Sequence, residues 1–148
     1  DYKPARLAIA NSLGANAIEI PKKNSGKWYR QNVPKISGTY PITVDASMNQ
    51  DGLRFAIRSL APGGVCTTVA YYFQKGTSIP LMQMYANDSR LHTGISHARA
   101  YLHDVLDLIE SKKFLPEKVT TLVANWDDAA EAYLERTIKV VVHRPSIF

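Results

Sequence analysis

Runs of β-branched and apolar residues, "PITVDAS", "VCTTVAYYF", "RLHTGIS", "VTTLVA" and "IKVVVH", alternate with stretches whose apolar residues recur at helical spacing. This alternation constrains the fold more than any other feature. Strands joined through helices pair side by side in parallel, so the pattern predicts an α/β domain with a largely parallel sheet. "VCTTVAYYF" is almost continuously apolar, as expected of a strand covered on both faces. The strands at residues 42–46, 64–70 and 90–95 are expected to be parallel neighbours, with helices at about 50–60 and 98–112 covering them.

The helices carry their own punctuation. Pro4 followed by Leu7, Ala8, Ala10 and Leu13 predicts a helix that Gly14 stops. Leu53, Ala56, Ile57 and Leu60 share a helical face, with Asn49 or Asp51 as its cap and "APGG" as its breaker. "IPLMQMYAND" predicts a short helix. "HARAYLHDVLDLIESKK" is the clearest helix, with an apolar stripe of Tyr101, Leu102, Val105, Leu106, Leu108 and Ile109, and with Lys112 and Lys113 suited to its C-terminal dipole. "WDDAAEAYLERT" predicts another, with Asp127 and Asp128 serving its first turn. "ANAIEI" reads as a strand over residues 16–20.

Residues 21–39 differ in kind. They are rich in proline, glycine and basic residues and hold no acid, which predicts a surface loop. A basic run with Trp28 and Tyr29 invites a nucleic-acid reading, but no recognised module surrounds it, so a solvated loop is preferred.

Composition excludes several chemistries. The single cysteine, Cys66, rules out an intrachain disulfide and a cysteine-based zinc cage. No Walker A loop, G-x-S-x-G elbow or H-E-x-x-H is present. His92 and His97 lie five residues apart, a spacing that alternation sends to opposite faces of a strand. His103 is expected on the polar side of its helix and His143 at the surface. No apolar run has the length of a membrane span and no signal segment leads the chain, which predicts a cytoplasmic domain, with no membrane partner. The net charge of +5 over 148 residues favours anionic ligands only weakly.

The strand ends "DAS" (residues 45–47) and "VAYY" (residues 69–72) mark the crevice where parallel sheets bind ligands. At this point the chain shows a specific resemblance. "DYKPARLAIANSLGA", "VDAS", "GLRFAIRSLAPGGVCTTVA", "LHTG", "LPEKVTT", "WDDAAEA" and "KVVV" follow one another as in the medium-chain dehydrogenase/reductase family, the alcohol dehydrogenase-like group. The resemblance spans nearly the whole chain apart from residues 21–39.

The resemblance implies a partial Rossmann-type, doubly wound parallel sheet over residues 1–113 and a C-terminal return segment, residues 114–148, that belongs to the parent's catalytic domain. It implies the C-terminal half of an oxidoreductase that moves hydride between a nicotinamide cofactor and an alcohol or carbonyl substrate. Asp1 falls on the aspartate that holds the adenosine ribose, which favours NAD over NADP, and Arg6 falls on the basic position beside it. Ala46 and Ser47 match the adenine side of the crevice. Val69, Ala70 and Tyr71 match the strand end at the nicotinamide, and Ile95 and His97 match the segment after the next strand. The Gly-rich turn, the catalytic groups and the zinc ligands, where zinc is used, belong upstream, so no catalytic residue and no metal ligand is assigned to this chain. A homodimer through the edge strand "RLHTGIS" is implied as well. The competing reading is a non-enzymatic α/β interaction module that binds a partner through its basic loop.

Overall fold

The computed structural model describes residues 1–23, 25–36 and 39–145. They fall into two compact units, one of residues 20–96 and one that joins residues 1–19 to residues 97–148.

The unit of residues 20–96 is built on a parallel sheet. Its elements are α2 (Ser25–Ile36), β1 (Tyr40–Asp45), α3 (Gln50–Arg58), β2 (Leu60–Thr68), α4 (Leu81–Ala86) and β3 (Arg90–Thr93), following α1 (Pro4–Ser12) of the other unit. The sheet order is β1-β2-β3 and both pairings are parallel, as the alternation predicts. Helix α3 begins where Asn49 caps it, its side chain accepting from the Asp51 N–H at 2.8 Å. Asp51 therefore sits in the first turn, on the favourable side of the dipole. The helix buries Leu53, Ala56 and Ile57, which close on Leu60 and Cys66 of β2 to form the core. Tyr72, Ile79, Met84 and Leu91 pack around it.

Several expectations are corrected by the structure. The "APGG" segment does not lie outside the sheet: β2 starts at Leu60, and the register jumps from Tyr40↔Leu60 to Ile42↔Val65. The extra residues form a bulge, in which Gly63 has φ 74°. A Cβ on Gly64 would lie 2.8 Å from the Ala61 carbonyl and 3.0 Å from that of Pro41, so only glycine fits this crossing. At its other end β2 stops at Thr68, so Tyr71 and Phe73 lie beyond the sheet.

Residues 21–39 are not one surface loop either: Ser25–Ile36 is helical, with Pro34 in the last turn, while residues 24, 37 and 38 of that loop lie outside the described ones. Tertiary packing outweighs a loop-like composition here, because Trp28 and Tyr29 lie 5.6 and 5.0 Å from the Phe55 ring of α3. The basic loop invoked for partner binding is therefore largely a helix docked on α3.

Residues 16–20 form no strand, because no neighbouring strand among the described residues pairs with them. Their polar groups find local partners instead. Asn11 Oδ1 accepts from the Ala17 N–H and the Ile18 carbonyl accepts from the Asp1 amine.

In the other unit, α1 ends as predicted at Gly14, whose φ is 87°. Helix α5 (Leu102–Glu110) is shorter than its sequence pattern, since residues 98–101 form a turn whose N–H groups bond back to the His97 carbonyl. Its stripe is open: Leu102, Val105, Leu106 and Leu108 are all exposed. A 3₁₀ turn (Pro116–Val119) leads to β4 (Leu122–Asn125). A second (Trp126–Asp128), which holds Asp127 and Asp128, precedes α6 (Ala129–Leu134), and β5 (Val140–His143) closes a parallel pair with β4. Thr121 and Thr137 share a hydroxyl contact at the mouth of this β-α-β unit.

Candidate functional site

The parallel register brings three strand ends level. Asp45 lies opposite Thr68, and Thr68 opposite Thr93. Chain segments beginning at Ala46, Val69 and Gly94 therefore leave the sheet along one edge, the carboxyl edge on which open parallel sheets bind ligands.

Asp45 organises this edge. It is only 3% exposed, yet both of its oxygens are occupied. Oδ1 accepts from the Ser47 N–H (3.1 Å) and the Ser47 hydroxyl (2.6 Å). Oδ2 accepts from the Thr68 hydroxyl (2.8 Å) and the Tyr72 hydroxyl (2.7 Å). Burial opposes ionisation of this carboxyl, but the hydrogen bonds from Ser47, Tyr72 and Thr68 outweigh it and hold the group below its ordinary value. For Tyr72 the same contacts act the other way. Burial, and then the hydrogen bond to Asp45, push its phenol up to about 12. Tyr29 is raised as well, by burial and then by the charges of Asp45 and Asp51. A carboxylate saturated and held ionised in this way is a clamp, not a proton acceptor.

The sequence pattern marked Asp45 as a strand end and did not reveal its partners, which lie 23 and 27 residues further along the chain. The signal was present in part. An Asp that closes an otherwise apolar strand is buried only when hydroxyl or N–H donors reach it.

Of the sequence-predicted residues, Ala46, Ser47, Val69, Ala70, Tyr71 and Ile95 all belong to the segments that leave this edge. Val69, Tyr71 and Ile95 are 62%, 70% and 82% exposed. Tyr71 stacks on Phe73 with ring centroids 6.2 Å apart, an open aromatic surface. The Ser47 hydroxyl is taken up by Asp45 and also meets the Asn49 carbonyl at 3.2 Å. The next residue, Met48, has φ 52°, a left-handed conformation that turns the chain sharply away from β1.

Asp1, Arg6 and His97 belong to the unit of residues 1–19 and 97–148. There Asp1 Oδ1 accepts from the Tyr2 and Lys3 N–H groups at 2.6 and 3.0 Å, and Oδ2 faces the Arg6 guanidinium at 3.4 Å. Asp1 Oδ2 thus keeps acceptor capacity for a hydroxyl ligand. Among the described residues, no group of three His, Cys, Asp or Glu side chains is placed to hold a metal ion, and no helix is long and apolar enough to cross a membrane.

Comparison with solved structures gives a consistent neighbourhood. The chain superposes on an alcohol dehydrogenase from Thermus sp. ATN1 with a TM-score of 0.77 and 23% identity, covering 98% of this chain and 44% of that one. With 2R,3R-butanediol dehydrogenase from Bacillus subtilis the TM-score is 0.77 at 22% identity, over 99% of this chain and 42% of the other. The fold is that of part of an alcohol dehydrogenase chain. An E. coli alcohol dehydrogenase solved with NADH shares it at a TM-score of 0.74 and 17% identity, over 99% of this chain and 43% of that enzyme. The chain therefore spans less than half the length of these dehydrogenases. No protein-family model matches it, and no curated protein does. In this dehydrogenase fold the level strand ends belong to the Rossmann-type sheet, the parallel arrangement expected from the sequence.

Proposed function

We propose that the chain is the nucleotide-binding part of a longer medium-chain, alcohol dehydrogenase-like oxidoreductase. The observation that carries this reading is the level edge of Asp45, Thr68 and Thr93 within the dehydrogenase fold. Residues 1–113 belong to the cofactor domain, and residues 114–148 return to the parent's catalytic domain, which supplies the catalytic groups and, where zinc is used, its ligands.

The residues present suit a dinucleotide. The exposed Val69, Tyr71 and Phe73 offer an apolar, partly stacked surface for a planar ring. Ala70 is the small residue between them. Ala46 and Ser47 leave the neighbouring strand with little side-chain bulk, as an approaching adenine requires. Ile95 and His97 follow β3 and line the nicotinamide end. Asp1 accepts from the ribose diol, and Arg6, its ion-pair partner, flanks the same sugar. A 2′-phosphate at Asp1 would meet a like charge, so the reading favours NAD over NADP. When bound, the nicotinamide supplies hydride transfer to or from an alcohol or carbonyl carbon. This chain binds and orients it, while Asp45 fixes the strand ends on which the cofactor rests. The parent is a cytoplasmic homodimer paired through β3, an edge of the β1-β2-β3 sheet.

The test is the ratio of kcat/KM for NAD to that for NADP in the full-length parent, before and after Asp1→Ala. Loss of hydrogen bonds to a charged group weakens NAD by about 1.5–3 kcal/mol. Arg6, released from Asp1, is free to pair with a phosphate, so NADP is expected to hold level or improve. An unchanged ratio removes Asp1 from the ribose site.

A further inference from the structure

Between α2 and α3, a cleft of about 190 Å³ is lined by Tyr29, Arg30, Asp51, Arg54, Phe55 and Arg58. Three guanidiniums face one carboxylate, leaving a formal excess of two positive charges. Arg54 is already committed: its Nε donates to the Ser78 carbonyl at 3.0 Å and its fork meets Asp51 at 3.4 Å. Arg58 stands four residues further along the same helix, where like charges repel. Neither the guanidinium of Arg58, which is half-buried, nor that of Arg30 has a hydrogen bond or ion pair with a described residue. Tyr29 and Phe55, with ring centroids 5.0 Å apart, form an aromatic wall of the cleft.

We infer that this cleft is a binding site for a phosphate group, held by Arg30 and Arg58 with Arg54 as a pre-positioned third donor. A dianion matches the excess charge, and guanidinium forks match its oxygens in pairs. The volume lies below that of a pocket for a drug-sized ligand, so the ligand is inorganic phosphate or the phosphate of a small monoester rather than a dinucleotide. Binding would also relieve the repulsion between Arg54 and Arg58, and so stabilise the packing of α2 on α3.

The experiment is calorimetric titration of the full chain with sodium phosphate and, separately, with phenyl phosphate, at ionic strength held constant with chloride. The expected result is saturable binding of at least one of the two. R30Q and R58Q should each weaken it about tenfold, the equivalent of ~1.4 kcal/mol. R30Q replaces an exposed side chain, so it keeps the test available should R58Q fail to fold. Tighter binding of phenyl phosphate identifies a monoester that uses the aromatic wall, and equal binding identifies the phosphate group alone. The inference is overturned by no saturable heat from either probe or by unchanged affinity in R30Q. Equal weakening in K75Q and K113Q, which remove exposed charges elsewhere, also overturns it, since it would mean attraction to net charge only.

Discussion

Asp45→Ala is expected to destabilise the unit of residues 20–96 by roughly 3–4 kcal/mol, near the top of the range for single substitutions. The change removes the acceptor for the Thr68 and Tyr72 hydroxyls and for both Ser47 donors at once. Thr68 is 6% exposed, so its hydroxyl would be left largely without water as a substitute partner. Chemical denaturation followed by far-UV circular dichroism measures the loss. A loss below about 1 kcal/mol, the net value of a single ordinary hydrogen bond, would mean that the clamp is not structural.

The same clamp makes stability depend on pH in two places. The carboxyl value of Asp45 is lower in the folded chain than in the unfolded one. Its contribution is therefore complete above the ordinary carboxylate value of about 3.9 and is lost as pH falls below it. Tyr72 is shifted upward to about 12, so its contribution is complete below the ordinary tyrosine value and is lost as pH rises towards that figure. Asp45→Asn should flatten the acid limb and Tyr72→Phe the alkaline one. Denaturant midpoints measured across pH test both, and an acid limb as steep in Asp45→Asn as in the parent sequence would assign it to other carboxylates.

Leu60→Ala is expected to cost roughly 3–5 kcal/mol, the range for a leucine removed from a packed site that relaxes poorly. Leu60 is wholly buried and follows α3 after a single residue, so its side chain joins helix to sheet. The surroundings are held by backbone. Gly64 crosses close to the carbonyls of Ala61 and Pro41, which leaves little freedom to collapse into the cavity. The buried core of this unit is small, comprising Leu53, Ala56, Ile57, Leu60 and Cys66, so such a loss should unfold it cooperatively. The denaturation midpoint should fall with the slope unchanged. Leu106→Ala, on the open stripe of α5 where Leu106 is 48% exposed, should by contrast change stability within about 0.5 kcal/mol. Equal effects at the two positions would mean that the core has been misplaced.

How much was legible in advance differs from element to element. The stop at Gly14, a cap at Asn49 or Asp51 and the amphipathic face of Leu53, Ala56 and Ile57 are properties of a few consecutive residues. Each was readable because helix caps and apolar periodicity act over one or two turns. The parallel order of the sheet was readable for a related reason: strands separated by helices leave little choice of pairing. The candidate cofactor edge followed from that order, since strands that run in parallel end on the same side.

Other features depend on groups brought together from distant parts of the chain. The helix over Ser25–Ile36 carries loop-like composition, and it is the Phe55 ring that gives Trp28 and Tyr29 something to bury against. The bulge at "APGG" is set by the approach of Pro41 in the neighbouring strand, and a glycine pair by itself reads as a break. Asp45 became the centre of the strand ends only when Thr68 and Tyr72 arrived beside it. The sequence by itself determined α1, α3 and the strands of the two parallel sheets, because periodicity and capping are local. Tertiary structure alone decided which polar groups are buried together and where the register jumps, because hydrogen bonding and close packing depend on neighbours that local pattern does not specify.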